Sequence, residues 1–420
     1  MAQTVTPPRG MRDFLPADKA RREHALGIIR ASYAAHGFDE IETPVMEDSA
    51  RLHSGLGGDN EKLAFAVMKR GLGPDDLAAA AASGDTLALA DLGLRFDLTV
   101  PLARFYATHR AALPGVFRSI QIAPVWRAER PQKGRYRQFM QCDIDIIGEA
   151  GQLAEIELIG ATAGTLDALG LSGCSIRIND RRILSALLAH WGVAETLFER
   201  ALITIDKLDK IGAAGVATEL AGLGIAADGI ADTLDGIANA GWELLHGVTP
   251  PPAWLDQQAY AELLALRAAL PDVELVFDPT LVRGMGYYTG TIFEIAHPDL
   301  GYSLGGGGRY DGMIGRFLGN DVPACGFSIG FERIVDLLPE DAASTADAVV
   351  IVHEKDAAPT ELMALKSQLV ASGTRVRLEK RSKNLKALLE RAEADGFTRF
   401  ALLGQGVTDA GALEFKALGG

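Results

Sequence analysis

The chain predicts an α+β protein of more than one domain, with a strand-rich core, a helical insertion and a small C-terminal α/β domain. Three observations predict it. Residues 125–147 read as two antiparallel strands around a polar loop, residues 180–272 as a run of Ala/Leu-rich helices, and residues 348–403 as alternating strands and helices. A length of 420 residues agrees, since one ordinary domain is shorter and two or three are expected.

A helix is expected over 17–35, with Pro16 placed to start it and Gly37 to end it. Residues 39–45 read as a strand interrupted by Pro44, hence at an edge or an interface. Residues 72–92, rich in Ala, Gly and Asp, read as a surface insertion between strands near 65–69 and 92–95. Helices follow at 100–108 and 153–169. The helical block is broken by turns near Gly192, Gly224 and the 250–252 proline run. Strands return at 273–277, 290–296 and 302–304, and a glycine-rich segment then leads into 327–338. In the tail, strands at 348–353, 375–379 and 399–403 alternate with helices at 360–372 and 382–395, and a last strand is expected at 413–418.

Composition narrows the class. Cys142, Cys174 and Cys325 lie far apart with no CxxC or Cys/His pairing, which argues against a structural zinc site or a disulfide framework and fits a reducing cytoplasm. The N-terminus lacks the apolar segment of a signal peptide, and no uncharged apolar run is long enough to span a membrane. A net charge of −14 argues at first against nucleic acid. Its distribution changes that, because 346–420 carries +1 and the rest −15. Within 374–391 seven basic residues, Arg381, Lys383 and Lys386 among them, face only Glu379 and Glu390. Such a cluster is either a solvated face or a phosphate-binding patch, for which only local charge matters.

The hairpin carries the strongest chemical signal. Strand side chains alternate between faces, so Arg127 and Glu129 share one, as do Gln141, Asp143 and Asp145, while Cys142, Ile144 and Ile146 point into a core. This is either a solvated hairpin or the floor of a site for a ligand bearing both anionic and cationic groups. Elsewhere, 305–308 is a run of four glycines followed by Arg309, Tyr310 and Asp311; it permits close backbone approach but is neither a P-loop nor a dinucleotide fingerprint. Arg283 sits in a glycine-flanked loop beside Tyr287 and Tyr288, a pair that usually divides into one core and one surface residue. Gly326 and Gly330 mark a strand–helix junction, with Glu332 and Arg333 at the start of the helix.

Together these segments resemble the class II aminoacyl-tRNA synthetases, specifically the histidyl-tRNA synthetase family, over nearly the whole chain. PRGMRDFLP (8–16) resembles the family's N-terminal signature, FDEIETPVME (38–47) motif 1, VWRAERPQKGRYRQF (125–139) motif 2 and GFSIGFERIV (326–335) motif 3. LRFDLTVPLAR (94–104), LVRGMGYYTG (281–290) and GGGRYDG (306–312) resemble segments peculiar to the histidine enzymes; the first of these and QCDIDIIG (141–148) are closer to the eukaryotic-type branch.

The resemblance implies a six- to seven-stranded antiparallel core sheet and homodimerisation through the motif 1 region. It divides the chain into a catalytic core at 1–179 and 273–338, a helical insertion at 180–272 and an anticodon-binding-like domain at 346–420. The implied activity is histidine–tRNA ligation: ATP and L-histidine give histidyl-adenylate, and the histidyl group passes to the 3′ end of tRNA(His). Arg127 and Arg283 would act at the ATP α-phosphate, Glu129 at the adenine amino group, and Arg135 and Arg333 at the outer phosphates with Mg²⁺. Asp97, Thr99 and Gln141 would receive the substrate α-ammonium group, and Asp145 with Tyr287, Tyr288 and Tyr310 would form the rest of the histidine pocket. Arg381, Lys383 and Lys386 would contact tRNA. Asp97 and Asp145 stand where many bacterial members carry glutamate, Gly286 where an aspartate is expected, and the chain ends at Gly420 just after the last strand. The alternative is a regulatory subunit of ATP phosphoribosyltransferase, which shares this core and binds histidine without acylating tRNA; it predicts loss of the phosphate-binding arginines. An RNA-binding paralogue using only the tail is a third possibility, with no feature of its own in its favour.

Overall fold

The computed structural model describes residues 5–53, 63–131, 134–226, 228–238, 241–242, 252–283, 287–339, 347–404 and 406–419. The chain divides into two compact units, Met1–Arg12 with Gly27–Leu338, and Asp13–Leu26 with Pro339–Gly420. The first long helix, Pro16–Ala35, runs across that division; beyond its end Gly37 takes φ +85° and Phe38 N–H returns to Tyr33 O at 3.2 Å.

The strands in chain order are β1 (Asp39–Glu40), β2 (Met46–Asp48), β3 (Phe65–Met68), β4 (Ala90–Leu94), β5 (Phe117–Trp126), β6 (Gln138–Ile147), β7 (Ser175–Asp180), β8 (Leu275–Phe277), β9 (Thr291–Ala296), β10 (Gly305–Arg309), β11 (Ala324–Ile329), β12 (Ala348–His353), β13 (Arg375–Lys380), β14 (Arg399–Leu402) and β15 (Lys416–Ala417). Among the described residues, eight of them form the large sheet of the first unit in the order β1-β5-β6-β11-β10-β9-β7-β8. The six from β5 to β7 pair antiparallel throughout; short parallel partners, β1 on β5 and β8 on β7, extend both edges. The sheet is therefore mixed at its margins rather than antiparallel to the edge.

The hairpin differs in extent from its sequence pattern. β5 begins at Phe117 and ends at Trp126, so Arg127 and Glu129 lie beyond the strand; a single backbone bond, Arg127 N–H to Arg137 O at 2.9 Å, carries the pairing further. The alternation on β6 holds, since Cys142, Ile144 and Ile146 are fully buried in apolar packing. Motif 1 forms the two-residue β1 at the edge of the large sheet and, past Pro44, β2; the strand read over 39–45 with an interruption at Pro44 is thus shorter than expected, and Pro44, which has no N–H to give a ladder, lies between the two pieces. The small sheet β2-β4-β3 stands beside it. Between β3 and β4 the largely exposed segment 72–92 carries a helix, Pro74–Ser83, begun by proline and ended at Gly84 with φ +70°.

Two strands escape local pattern. β7 stands where the sequence suggested only the approach to the helical block. The strand expected at 302–304 is displaced, because the glycines at 305–308 themselves form the centre of β10. Glycine has low strand propensity, but tertiary space decides here. A Cβ on Gly307 would lie 1.9 Å from Gly326 O and 2.7 Å from the Phe293 ring, and one on Gly305 would lie 2.5 Å from Ser328 O. Helices Arg181–His190, Phe198–Ile205, Leu208–Gly222, Ile230–Ile237 and Gln257–Ala269 follow β7; Leu184, Leu202, Leu220 and Leu234 of the first four pack into one apolar cluster with Phe96, Leu102 and Phe117.

In the second unit the sheet order is β13-β12-β14-β15, parallel except for β14–β15. β12 is apolar at nearly every position because both its faces are covered: Val349 and Ile351 pack with Leu365 and Leu369, and Ala348, Val350 and Val352 with Ala392 and Phe397. No helix among the described residues is long and apolar enough to cross a membrane.

Candidate active site

Strand register places one polar row across the six antiparallel strands. Gln121, Asp143, Ser328, Gly306, Glu294 and Arg177 stand opposite one another in turn, and so share a face. In the next row on that face Asp145 opposes Gly326 and Gly326 opposes Gly308. The glycines keep this floor flat. A Cβ on Gly326 would lie 2.0 Å from Asp145 Oδ1, and one on Gly306 would lie 2.6 Å from Arg283 Cζ, so each glycine admits a charged side chain lying directly over the sheet. Above the floor is a cavity of about 1010 Å³.

One part of its wall is acidic. Asp97, Asp143 and Asp145 are each 5% exposed or less. Tyr310 Oη donates to Asp145 Oδ1 at 2.5 Å, Val100 N–H donates to Asp97 Oδ1 at 3.2 Å, and Gln141 Nε2 donates to Ser328 Oγ at 3.4 Å and Asp143 Oδ2 at 3.3 Å. Burial pushes Asp97 up to about 6. Burial, then the charge of Asp97, outweighs the Tyr310 hydrogen bond and pushes Asp145 up to about 7. Burial and the neighbouring Asp145 raise Asp143 well above the carboxylate range. Two buried acceptors, Asp97 Oδ2 and Gln141 Oε1, have no protein partner. Carboxylates that repel one another, beside unfilled acceptors, make a site for a cationic donor.

Arginines supply the opposite charge. Arg127 Nε donates to Phe96 O at 3.0 Å and its guanidinium lies 5.0 Å from the Phe139 ring centre. Arg283 pairs with Glu294 at 2.7 Å, and Glu294 in turn pairs with Arg177 at 3.5 Å. Arg283 Nε is buried without a partner. Arg333 bonds Ser303 O and lies 5.1 Å from the Tyr302 ring; burial, then the nearby Arg135 and also Arg283, lowers its pKa. Cations that repel one another across a cavity call for an anion.

This geometry has relatives. A profile of the histidyl-tRNA synthetase family matches residues 10–334. The histidine–tRNA ligase of Leifsonia xyli subsp. xyli is 65% identical over 429 residues, covering 100% of this chain and 99% of that protein. The chain belongs to the histidyl-tRNA synthetase family. A probable histidine–tRNA ligase of Tropheryma whipplei is 42% identical, covering 95% of this chain and 96% of its own. Among solved structures, histidyl-tRNA synthetase from Nostoc sp. PCC 7120 superposes with TM-score 0.75 at 26% identity, covering 99% of this chain and 95% of that one. An ATP phosphoribosyltransferase regulatory subunit/histidyl-tRNA synthetase from Bacillus halodurans shares the fold, with TM-score 0.73 at 22% identity over 93% of this chain and 97% of that one.

The residues that the family resemblance singled out converge. Asp97, Thr99, Arg127, Glu129, Arg135, Gln141, Asp145, Arg283, Tyr287, Tyr288, Tyr310 and Arg333 all line the one cavity. The two adjacent tyrosines do not divide between core and surface. Both are buried, with ring centres 4.9 Å apart and Tyr287 edge-on to Tyr310 at 6.0 Å. Arg135 is exposed and pairs loosely with Glu129 at 3.8 Å. Gly286 lies outside the described residues. Arg381, Lys383 and Lys386 are exposed in the second unit, Arg381 against Glu354 at 2.7 Å and Lys386 against Glu390 at 3.8 Å.

Sequence reasoning passed over Ser328, Glu294 and Arg177, and gave Asp143 no role of its own. Asp143 was signalled, since it shares a face with Gln141 and Asp145. Glu294 and Arg177 were not, because only strand pairing brings them under Arg283.

Proposed function

We propose that the chain is a histidine–tRNA ligase that activates L-histidine with ATP and charges tRNA(His). The observation that carries this is the charge division of one cavity, with three buried carboxylates and unfilled acceptors in one part of its wall and mutually repelling arginines in another. Histidine supplies an ammonium group and an imidazole for the first, and the ATP phosphates answer the second. In this reading Asp97, Thr99 and Gln141 hold the α-ammonium group. Asp145, oriented by Tyr310, takes the imidazole with Tyr287 and Tyr288, and an aliphatic side chain there would leave that carboxylate desolvated without compensation.

The histidine carboxylate oxygen attacks the α-phosphorus of ATP, the bond to the β-phosphate bridging oxygen breaks, and pyrophosphate leaves with that electron pair. Arg127 and Arg283 stabilise the charge gathering at the α-phosphate, Glu129 accepts from the adenine amino group, and Arg135 with Arg333 holds the outer phosphates. A hydroxyl at the tRNA 3′ end then attacks the acyl carbon, and AMP departs. For Mg²⁺, no three His, Cys, Asp or Glu side chains converge as a cage among the described residues. Glu294 and Asp206 line the cavity, and the set suits an ion carried on the phosphates, which would offset the charge of the departing pyrophosphate. Homodimerisation through the motif 1 region draws support from the exposed Val45, Met46 and Met68 around it. The wide separation of Cys142, Cys174 and Cys325 along the sequence supports a cytoplasmic setting.

The regulatory-subunit alternative is not favoured, because Arg127, Arg283 and Arg333 are all retained in the cavity. Histidine-dependent ATP–pyrophosphate exchange tests the proposal, with the other amino acids as controls. Exchange with histidine alone is the expected result. Histidine binding without exchange would overturn it in favour of the regulatory role.

A further inference from the structure

The N-terminal signature takes no part in the chemistry above, yet it joins both sides of the arginine-lined region. Gly10 O accepts Arg137 N–H at 2.7 Å. Gly10 has φ +82°, and a Cβ there would lie 2.9 Å from Arg137 Cγ, so this segment presses on the returning limb of the hairpin. Two residues on, the Arg12 guanidinium lies 3.5 Å from the Tyr136 ring centre and pairs with Glu332. Glu332 is 7% exposed, and its other carboxylate oxygen accepts Met140 N–H at 3.0 Å. One buried carboxylate thus joins three separate parts of the chain: the N-terminal signature, the start of β6, and the short helix Phe331–Val335 that carries Arg333. Tyr136, Met140, Glu332 and Arg333 all line the cavity.

We propose that Arg12 is a positioning residue for nucleotide binding, acting through Glu332 to set the spacing between the hairpin groups Glu129 and Arg135 and the helix-borne Arg333. The inference rests on the synthetase reading. Chemistry requires arginine at this position. Its planar face stacks on Tyr136 while its edge pairs with the carboxylate, and lysine offers only the charge. Without Arg12, Glu332 loses the ion pair that ties the N-terminal signature to the junction carrying Arg333, and its carboxylate is held there by less.

Exchange kinetics of the full chain test this with R12A, R12K, E332Q and R12A/E332Q. R12A is expected to raise KM for ATP about tenfold while KM for histidine stays within about twofold. R12K should fall between, and R12A/E332Q should be less impaired than the sum of its parts, because both changes break the same pair. Three results would overturn the proposal: an unchanged KM for ATP, a parallel rise of both KM values together with a lowered Tm, or strict additivity. If R12A does not fold, R12K and E332Q still decide, since normal KM for ATP in both is equally fatal. If the wild-type protein shows no exchange, the synthetase reading fails separately. Calorimetric titration with Mg-ATP then judges Arg12, and equal affinity of wild type and R12K overturns it.

Discussion

Asp97 and Asp145 show how much chemistry a single buried methylene-carboxylate can hold. Asp97 is raised to about 6 by burial, which outweighs the backbone hydrogen bonds from Val100 and Thr99 and the charge of Arg127. Below that pH it is neutral and a poor partner for an ammonium group. Histidine affinity is therefore expected to rise with pH through about 6, and Asp97→Asn should remove that component; calorimetry at matched pH values compares the two. Stability runs the other way. An acid whose folded pKa is raised binds its proton more tightly when folded, so the apo protein loses stability as pH rises from the ordinary carboxylate range through about 7, the value reached by Asp145. Asp145→Asn keeps an acceptor for Tyr310 and sheds the charge, so it should be more stable than wild type at neutral pH, by about 4 kcal/mol at most, and melt higher, while losing histidine binding. An equal or lower Tm would count against the assigned strain. Arg283→Ala is expected to slow adenylate formation by about 10²- to 10³-fold with histidine binding nearly intact. Glu294 would keep Arg177 as its partner, so the variant should fold. Strong residual exchange would contradict the role given to Arg283.

At the scale of elements, β10 shows what alternation cannot reveal. Four consecutive glycines are locally a turn or a hinge, yet β9 and β11 approach so closely that only backbone fits between them. Gly307→Ala places a methyl 1.9 Å from a carbonyl oxygen of the neighbouring strand, where no flexible side chain can give way. A loss of about 3 kcal/mol or more in chemical denaturation is expected, and a neutral result would mean that the sheet can spread. The hairpin β5–β6 was readable because its faces repeat every two residues. Its limits were not, because Pro124 sits inside β5 with its carbonyl taken by Arg95 at 3.0 Å, a partner remote in sequence.

For the whole molecule, net charge misleads and distribution informs. The first unit gathers arginines at one cavity despite a strongly acidic total, and the second presents Arg381, Lys383 and Lys386 on its exposed surface. Their pairings with Glu354 and Glu390 are exposed, and such pairs hold a cation only weakly. Replacing Lys383 and Lys386 by alanine is expected to weaken tRNA binding and to reduce the slope of log K against log salt by about 1 to 2. An unchanged slope would mean that this face is simply solvated.

Sequence alone determined the segments and their chemistry: the faces of β6, the strand–helix alternation of the tail, and a set of ordered motifs that identified the family and twelve of the residues that line the cavity. These signals are local, because side-chain direction repeats within a strand and a motif carries its own spacing. Tertiary structure decided what stands opposite what. It laid Gly306 beneath Arg283, set Glu294 between two arginines, crowded three aspartates into one buried wall, and joined Arg12 to Glu332 across 320 positions of sequence. Those relations come from register between strands distant along the chain, and no local period encodes them.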